Sequence, residues 1–495
     1  MEVALIESPD VQTIGVGEGT WPTMRSTLQQ IGISERTFVA ECSAAFKQGT
    51  RFDGWRDGGE NDQYYHPFSA PRDYGKFNFA AHYSSLRNES SFVDAVSSQG
   101  RICDHNLAPK QVQTPEFAHV VNYGYHLDAG LFAELLKRHC MSHLGVRYIS
   151  DHVTGVSGKP GEDIRAVETR SQGELAADLF IDCTGAGALL LSGHYGVGFR
   201  DCKDILFNDR ALAAQVPYPD TRHPIASQTI STAQTAGWVW DIGLSTRRGV
   251  GYTYSSTHSS DEEAQSVLRN YLYQTGPPAG PDPILRKIAF RPGHREIFWH
   301  RNCLAIGMAA GFIEPLEASA LVLIELGARM LVEQFPRDRS IMDIVAGRYN
   351  STFLLRWERI IDFLKLHYVL SERDDSDYWR AHRDNASWPA SLKDELNLWR
   401  YRAPWHADFP YRDEVFSSAS YQYVLYGMGF ETESEPNPDQ LVQARQVIAE
   451  NARMTQQQLS GLPSHRGLIE AWSDAGAPGS GRQSETGPVQ GSANN

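Results

Sequence analysis

Two side chains in this sequence combine reactive chemistry with a suggestive neighbourhood. Lys47 stands in AAFKQGTRFDGW, behind an alanine pair and Phe46. On a surface such a lysine is a solvated charge, whereas in an apolar site burial lowers the pKa of the amine and makes it a hydrogen-bond donor or a nucleophile. Glu317 stands in IEPLEASALVLIE, where Pro315 suits a helix start. The N–H groups of a first helical turn have no partners inside the helix and can hold an anion. On this spacing Glu317 sits in the first turn, where it either complements the helix dipole or faces a bound group. A third stretch, GWVWDIGL, carries Trp238 and Trp240. In a strand both indoles point to one face, as a core layer or as the wall of a site.

The elements that must position these residues read as an α/β fold. VALIE is a buried-type strand ending in Glu7, followed by a turn and IGVGEGTWP. This is the layout of the second strand of a dinucleotide-binding unit, where an acid at the strand tip hydrogen-bonds a ribose hydroxyl. The first strand and the GxGxxG of such a unit would stand before Met1, so both are expected to be missing. Gly15, Gly17 and Gly19 lack the GxGxxG spacing and by themselves make a turn. Taken with Glu7, with Gly185 and Gly187 after the strand ADLFID, and with Gly307 after a strand at Leu304 to Ile306, they form a flavin cradle in three separated pieces.

Helical spacing follows in LFAELLKR near residue 131, after Pro315, and at Phe353, Leu354, Trp357, Ile360, Ile361 and Leu364. PNPDQL starts a further helix at Pro438 and Asp439. The expected organisation is a Rossmann-like FAD-binding and substrate-sheet domain over 1–350, with a mixed sheet. A helical covering domain follows over 351–472, and a Gly/Ser/Pro/Gln tail over 473–495 is expected to be disordered.

The 495 residues are 41% hydrophobic and 21% charged, which is a globular composition. A formal charge of -14 argues against a nucleic-acid partner. Six scattered cysteines without a CxxC pair suggest neither a disulfide framework nor a zinc site, and no metal is expected. The start MEVALIESPD is not a signal peptide, and ALVLIELGARMLV is interrupted by Glu325 and Arg329 and falls short of a bilayer span. A cytoplasmic protein with no membrane partner is expected.

From Val3 to about Met454 the chain resembles the flavin-dependent halogenases of the tryptophan halogenase family. The resemblance rests on IGVGEGTWP, AAFKQGTRF, YYHPF, YHLDAGLFAELLKR, LFIDCTG, GWVWDIGL, GFIEPLEASA and HYVLSERDDSDYW. It implies that reduced FAD, dioxygen and chloride or bromide give hypohalous acid. Lys47 captures this oxidant, by hydrogen bond or as a haloamine, and passes the halogen to an aromatic carbon. Glu317 matches the glutamate that polarises the halogen donor or accepts the ring proton. Ser319 and Ala320 fall where backbone amides bind the halide. Trp238 and Trp240 match the walls of the passage between flavin and substrate. FAD contacts are implied at Glu7, Gly15, Val16, Gly17, Gly19, Thr20, Val153, Gly185, Gly187, Met308 and Leu321. His66 and Phe68 match substrate-stacking positions, and Phe416 is expected at the far wall. The implied partners are a separate flavin reductase, halide and a small aromatic, and a homodimer is left open.

The chain departs from the family pattern at three places. Gly243 stands where the WxWxIP signature has proline. Without the first strand and its glycine loop, FAD affinity is expected to suffer. The tyrosine pair and glutamate that grip an amino-acid zwitterion have no evident match near DFPYRDEVFSSASYQY, so a less polar aromatic such as indole is expected. The alternatives are a flavin monooxygenase on the same scaffold and a flavin-free remnant or binding protein.

Overall fold

A computed structural model describes residues 1–11, 17–276, 280–411, 414–433 and 437–476. Its largest sheet has seven strands in the order Arg286–Ala289, Arg210–Pro217, Arg247–Tyr254, Gly237–Gly243, Thr229–Gln234, Gly49–Asp53, Gln63–Pro67. The sheet is mixed, as expected: Thr229–Gln234 runs parallel to Gly49–Asp53, and every other neighbouring pair is antiparallel. Strand Gly237–Gly243 is buried along its whole length, which suits its run of apolar and aromatic residues.

A small antiparallel sheet of Glu18–Gly19, Gly124–Leu127 and Ala45–Lys47 lies beside it. Only Gln48 separates Lys47 from the strand Gly49–Asp53, so the chain steps from one sheet into the other at the lysine. Two parallel pairs carry the nucleotide-type topology. Ala4–Glu7 pairs with Arg147–Ser150, and Phe180–Asp182 pairs with Cys303–Ala305. Helix Ala129–His143 precedes Arg147–Ser150 and is capped by Asp128, whose carboxylate accepts from the N–H groups of Gly130 and Leu131.

Beyond residue 318 the described chain is mainly helical, with helices Ser319–Glu333, Arg339–Val369, Asp377–Arg383, Ala390–Trp399, Ser418–Gly427, Pro438–Gly461 and His465–Gly476. Helix Arg339–Val369 runs through the boundary expected at 350/351. Its last turns, Ile360 to Val369, are buried on every face, because the sheet lies on one side and the later helices on the other. One core joins Phe52, Trp238 and Trp240 of the sheet to Trp357, Phe363, Tyr368 and Tyr423 of the helices. The last helix extends to Gly476, so residues 473–476, expected as tail, are helical. Residues 477–495 lie outside the described residues.

The structure shifts several expected boundaries. The strand expected over ADLFID is confined to Phe180–Asp182, and the one expected at Leu304 to Ile306 is Cys303–Ala305. The helix expected from Pro315 begins at Ser319. Ala318 takes the left-handed conformation, φ 53° and ψ 41°, and its N–H closes a turn onto the Pro315 carbonyl at 3.1 Å, so helical geometry starts only beyond it. Among the described residues no helix is long and apolar enough to cross a membrane.

Candidate active site

Lys47 ends a strand whose three residues are all buried, and its own exposure is 1%. Its ammonium stands 5.4 Å from the centre of the Phe68 ring. The approach depends on Gly19, where a Cβ would lie 3.1 Å from Lys47 Nζ and 3.2 Å from Ala318 Cβ. Gly19 thus separates the amine from the segment that carries Glu317. Burial lowers the Lys47 pKa to about 8, and the charge of Glu317 pulls the other way. His126, one strand over, is held well below the ordinary histidine range by burial and by the Lys47 charge.

Glu317 precedes the helix rather than occupying its first turn, which corrects the sequence expectation, and it is buried. Trp21 Nε1 donates to its backbone carbonyl at 2.8 Å. His66 Nδ1 lies 3.0 Å from its Oε1, and His367 Nε2 lies 3.2 Å from the same oxygen, off the line of a regular hydrogen bond. Burial pushes the carboxyl up, but the two imidazoles outweigh it and hold Glu317 below the usual carboxylate range. The helix that follows has no side-chain cap, so the N–H groups of Ser319 and Ala320 in its first turn are left for another acceptor. Ser319 is buried and Ala320 exposed.

A cavity of about 420 Å³ opens at Glu317, with Trp21, His66, Phe68 and Phe416 among its walls. Phe416 stacks on Phe363 with centroids 3.8 Å apart and contacts Trp21 at 4.9 Å. The structure therefore brings Glu317 and the three expected aromatic contacts to one cavity. It adds His66 as a direct partner of the carboxylate. Trp21 and His367 were missed from sequence. Trp21 stands in the quoted IGVGEGTWP, but nothing local reveals that its indole reaches residue 317. His367 is one polar residue in a buried helical run.

Trp238 and Trp240 share a face of their strand, 6.2 Å apart at 63°. They pack in the core and are absent from the walls of the cavity. Trp238 Nε1 donates to Glu314 Oε2 at 2.6 Å, an oxygen that also accepts from Asn208 Nδ2 and the Tyr368 hydroxyl. At the end of this strand a Cβ on Gly243 would lie 3.0 Å from Ile225 Cγ2 and 3.1 Å from both Ala226 N and the Tyr218 hydroxyl. That crowding gives a reason for glycine at the position where the signature has proline.

The expected cofactor residues are spread over glycine turns and strand ends. Gly17, Gly19 and Thr20 flank Glu18 in the small sheet, while Gly15 and Val16 lie outside the described residues. Glu7 ends the first described strand and accepts from the Tyr148 hydroxyl at 2.7 Å. Val153 opens the strand Val153–Ser157. The turn Gly185–Gly187 is anchored by Asp182, whose two oxygens accept from the N–H groups of Thr184, Leu190 and Leu191. Beside it lies the turn Gly307–Ala309, with Met308 39% exposed, and Ile324 Cδ1 lies 3.6 Å from where a Cβ on Gly307 would stand. Leu321 is half-buried in the following helix. Glycine turns beyond parallel strand ends, next to the exposed side chains of Ile181, Leu189, Met308 and Ile324, fit a dinucleotide with an apolar ring system.

The model of the family described as Tryptophan halogenase matches residues 1–445. The crystal structure of a tryptophan halogenase from Shewanella frigidimarina NCIMB 400 is 48% identical to this chain, with a TM-score of 0.92, and the match covers 97% of this chain and 92% of that one. BrvH, a flavin-dependent halogenase from Brevundimonas sp. BAL3, is 30% identical at a TM-score of 0.83, covering 95% of this chain and 93% of that one. Tryptophan 6-halogenase SttH of Streptomyces toxytricini is 32% identical over 451 residues, which is 87% of this chain and 84% of that protein. With the family model matched over most of its length, and a buried lysine and a buried glutamate in place, the chain belongs to the tryptophan halogenase family of flavin-dependent halogenases.

Proposed function

We propose that this halogenase acts on an indole-type aromatic that carries no carboxylate, with Lys47 delivering the halogen and Glu317 serving the aromatic carbon. Flavin-dependent halogenases draw reduced FAD from a separate flavin reductase. When bound, reduced FAD supplies with dioxygen and halide the oxidising power that makes the halogen electrophilic. Gly17, Gly19, Thr20, Gly185, Gly187, Met308 and Leu321 would hold it, together with Glu7 and Val153 at the strand ends. The free N–H groups of Ser319 and Ala320 would hold the halide.

The rest is the work of the chain's own groups. Lys47 is largely an ammonium below pH 8 and donates a hydrogen bond to hypohalous acid; its neutral fraction is a nucleophile that forms a haloamine. Its burial keeps bulk water from the amine. Glu317, kept as a carboxylate by its imidazole partners, polarises the halogen donor or accepts the proton leaving the ring.

The observation that carries the substrate reading is the charge of the cavity. Among the described residues lining it are the carboxylates of Glu317 and Glu414, and no lysine or arginine. A substrate carboxylate entering there would meet like charge at Glu317 and Glu414, with no lysine or arginine among the described lining residues to offset it. The test supplies the chain with FAD, a flavin reductase, chloride or bromide, and a panel of indole, tryptamine, free tryptophan, phenol and pyrrole. Products are read by mass spectrometry. A halogen isotope pattern on indole with a higher kcat/KM than on tryptophan is expected. Preference for free tryptophan would overturn the substrate reading, and products carrying one added oxygen would overturn halogenation by this chain.

A further inference from the structure

Glu317 is fixed at its backbone carbonyl by Trp21 and at Oε1 by His66, with His367 Nε2 3.2 Å from the same oxygen, while no described residue hydrogen-bonds Oε2. Behind His367 stands Tyr64, whose hydroxyl lies 2.6 Å from His367 Nδ1. Tyr64 and His66 are two residues apart on the strand Gln63–Pro67 and so share a face, and His367 comes from the last turn of the helix Arg339–Val369. Phe52 stacks on Tyr64 at 4.6 Å and on His367 at 4.7 Å, which clamps both rings. Neither Tyr64 nor His367 is among the walls of the cavity.

A neutral imidazole has one N–H and one lone pair. Burial holds the Tyr64 phenol well above its ordinary range, so it stays an O–H donor, and burial lowers His367, which favours the neutral ring. With the lone pair on Nδ1 facing Tyr64, the hydrogen sits on Nε2, 3.2 Å from the carboxylate oxygen though off the line of a regular hydrogen bond. The other tautomer would set the Nε2 lone pair against Oε1. Tyr64 donating to Nδ1 and the carboxylate disfavouring a lone pair on Nε2 together favour the Nε2–H tautomer beside Glu317.

We infer that Tyr64 and His367 are positioning residues that keep Oε1 of Glu317 engaged and present Oε2 as the oxygen that works in the cavity. This rests on the halogenase reading of Glu317. The titratable groups facing Glu317 are His66 and Tyr64 from one strand, Lys47 from another and His367 from the helix.

The test uses Tyr64→Phe and His367→Gln in the full chain with FAD, flavin reductase, halide and indole. A misdirected carboxylate lowers kcat by about 10- to 100-fold, with KM for indole and halide held. In His367→Gln the acid limb of the kcat profile moves to higher pH, because losing an imidazole releases the carboxyl toward its ordinary range; a merely structural role leaves that limb in place. A readout without turnover is 15N NMR of the histidine-labelled chain free of flavin. It is expected to report the Nε2–H tautomer of His367 in the parent and a shift toward Nδ1–H in Tyr64→Phe. Parental kcat, an unmoved limb and an unchanged tautomer would overturn the inference in a parent that halogenates. A parent that yields no halogenated product fails the functional reading instead, and the NMR result still decides the positioning claim. If His367→Gln does not fold, Tyr64→Phe, which deletes one oxygen, carries the test.

Discussion

Replacing Lys47 with methionine tests whether the lysine is poised for chemistry, because the apolar stem is kept and the buried charge is lost. Burial lowers the Lys47 pKa from 10.5 to about 8. At about 1.4 kcal/mol per pKa unit, the protonated amine costs the fold roughly 3 kcal/mol. The folded value lies below the unfolded one, so the unfolded chain binds this proton more tightly. The cost is therefore complete below pH 8, shrinks as the pH rises from 8 to 10.5, and is gone above that window. Lys47→Met escapes it. At pH 7 the variant is expected to be the more stable protein by roughly 3 kcal/mol, or about 3 °C in melting temperature for a chain of this length. The gap should close between pH 8 and 10.5. Scanning calorimetry of both proteins across pH 7 to 10.5 reads this directly. The same variant is expected to lose halogenation while flavin oxidation continues. A Lys47→Met protein that melts below the parent at pH 7, or a gap that widens with pH, would mean that the native fold pairs this amine well and leaves no strained donor for the oxidant. Halogenated product at the parental rate would remove Lys47 from the mechanism.

The remaining expectations concern the surroundings of Glu317 and the tryptophan strand. Glu317→Gln keeps the shape but not the charge, and kcat is expected to fall about 100-fold or more with little change in the dissociation constant for indole, measured by fluorescence titration. Trp21→Phe keeps an aromatic wall but leaves the Glu317 carbonyl without its donor; a loss of roughly 1–3 kcal/mol in thermal stability is expected, with a broader set of regioisomers by chromatography. Gly243→Pro restores the family signature yet drives ring atoms into Ile225, Ala226 and Tyr218, so a loss of roughly 1–3 kcal/mol is expected from overpacking; a variant as stable as the parent in urea titration would show that the crowding there is easily relieved.

Much of the architecture was legible because it depends on local pattern. Alternation placed Trp238 and Trp240 on one face, helical spacing found the helix through Phe353 to Leu364, and Pro438 with Asp439 marked the true start of Pro438–Gly461. Boundaries failed where the backbone does something the residue type does not announce. Ala318 is an ordinary helix former, yet its left-handed conformation delays the helix and frees Glu317 from it. Their own sequence context singled out Lys47 and Glu317, the resemblance added His66 and Phe68, and the expected substrate suggested Phe416, but none of these revealed the contacts among them.

The sequence by itself determined the α/β class, the helical C-terminal part, the family and the residue types available for chemistry, since each of these is encoded in short-range periodicity and in motifs that survive as strings. Only the tertiary structure decided that Trp21, separated from Glu317 by 296 positions, caps its carbonyl, and that Tyr64 reaches His367 across 303. It also decided that the Lys47 amine is stripped of water. Burial, pKa and tautomer are properties of what surrounds a group, and here those surroundings are assembled from strands and a helix that the chain brings together only on folding.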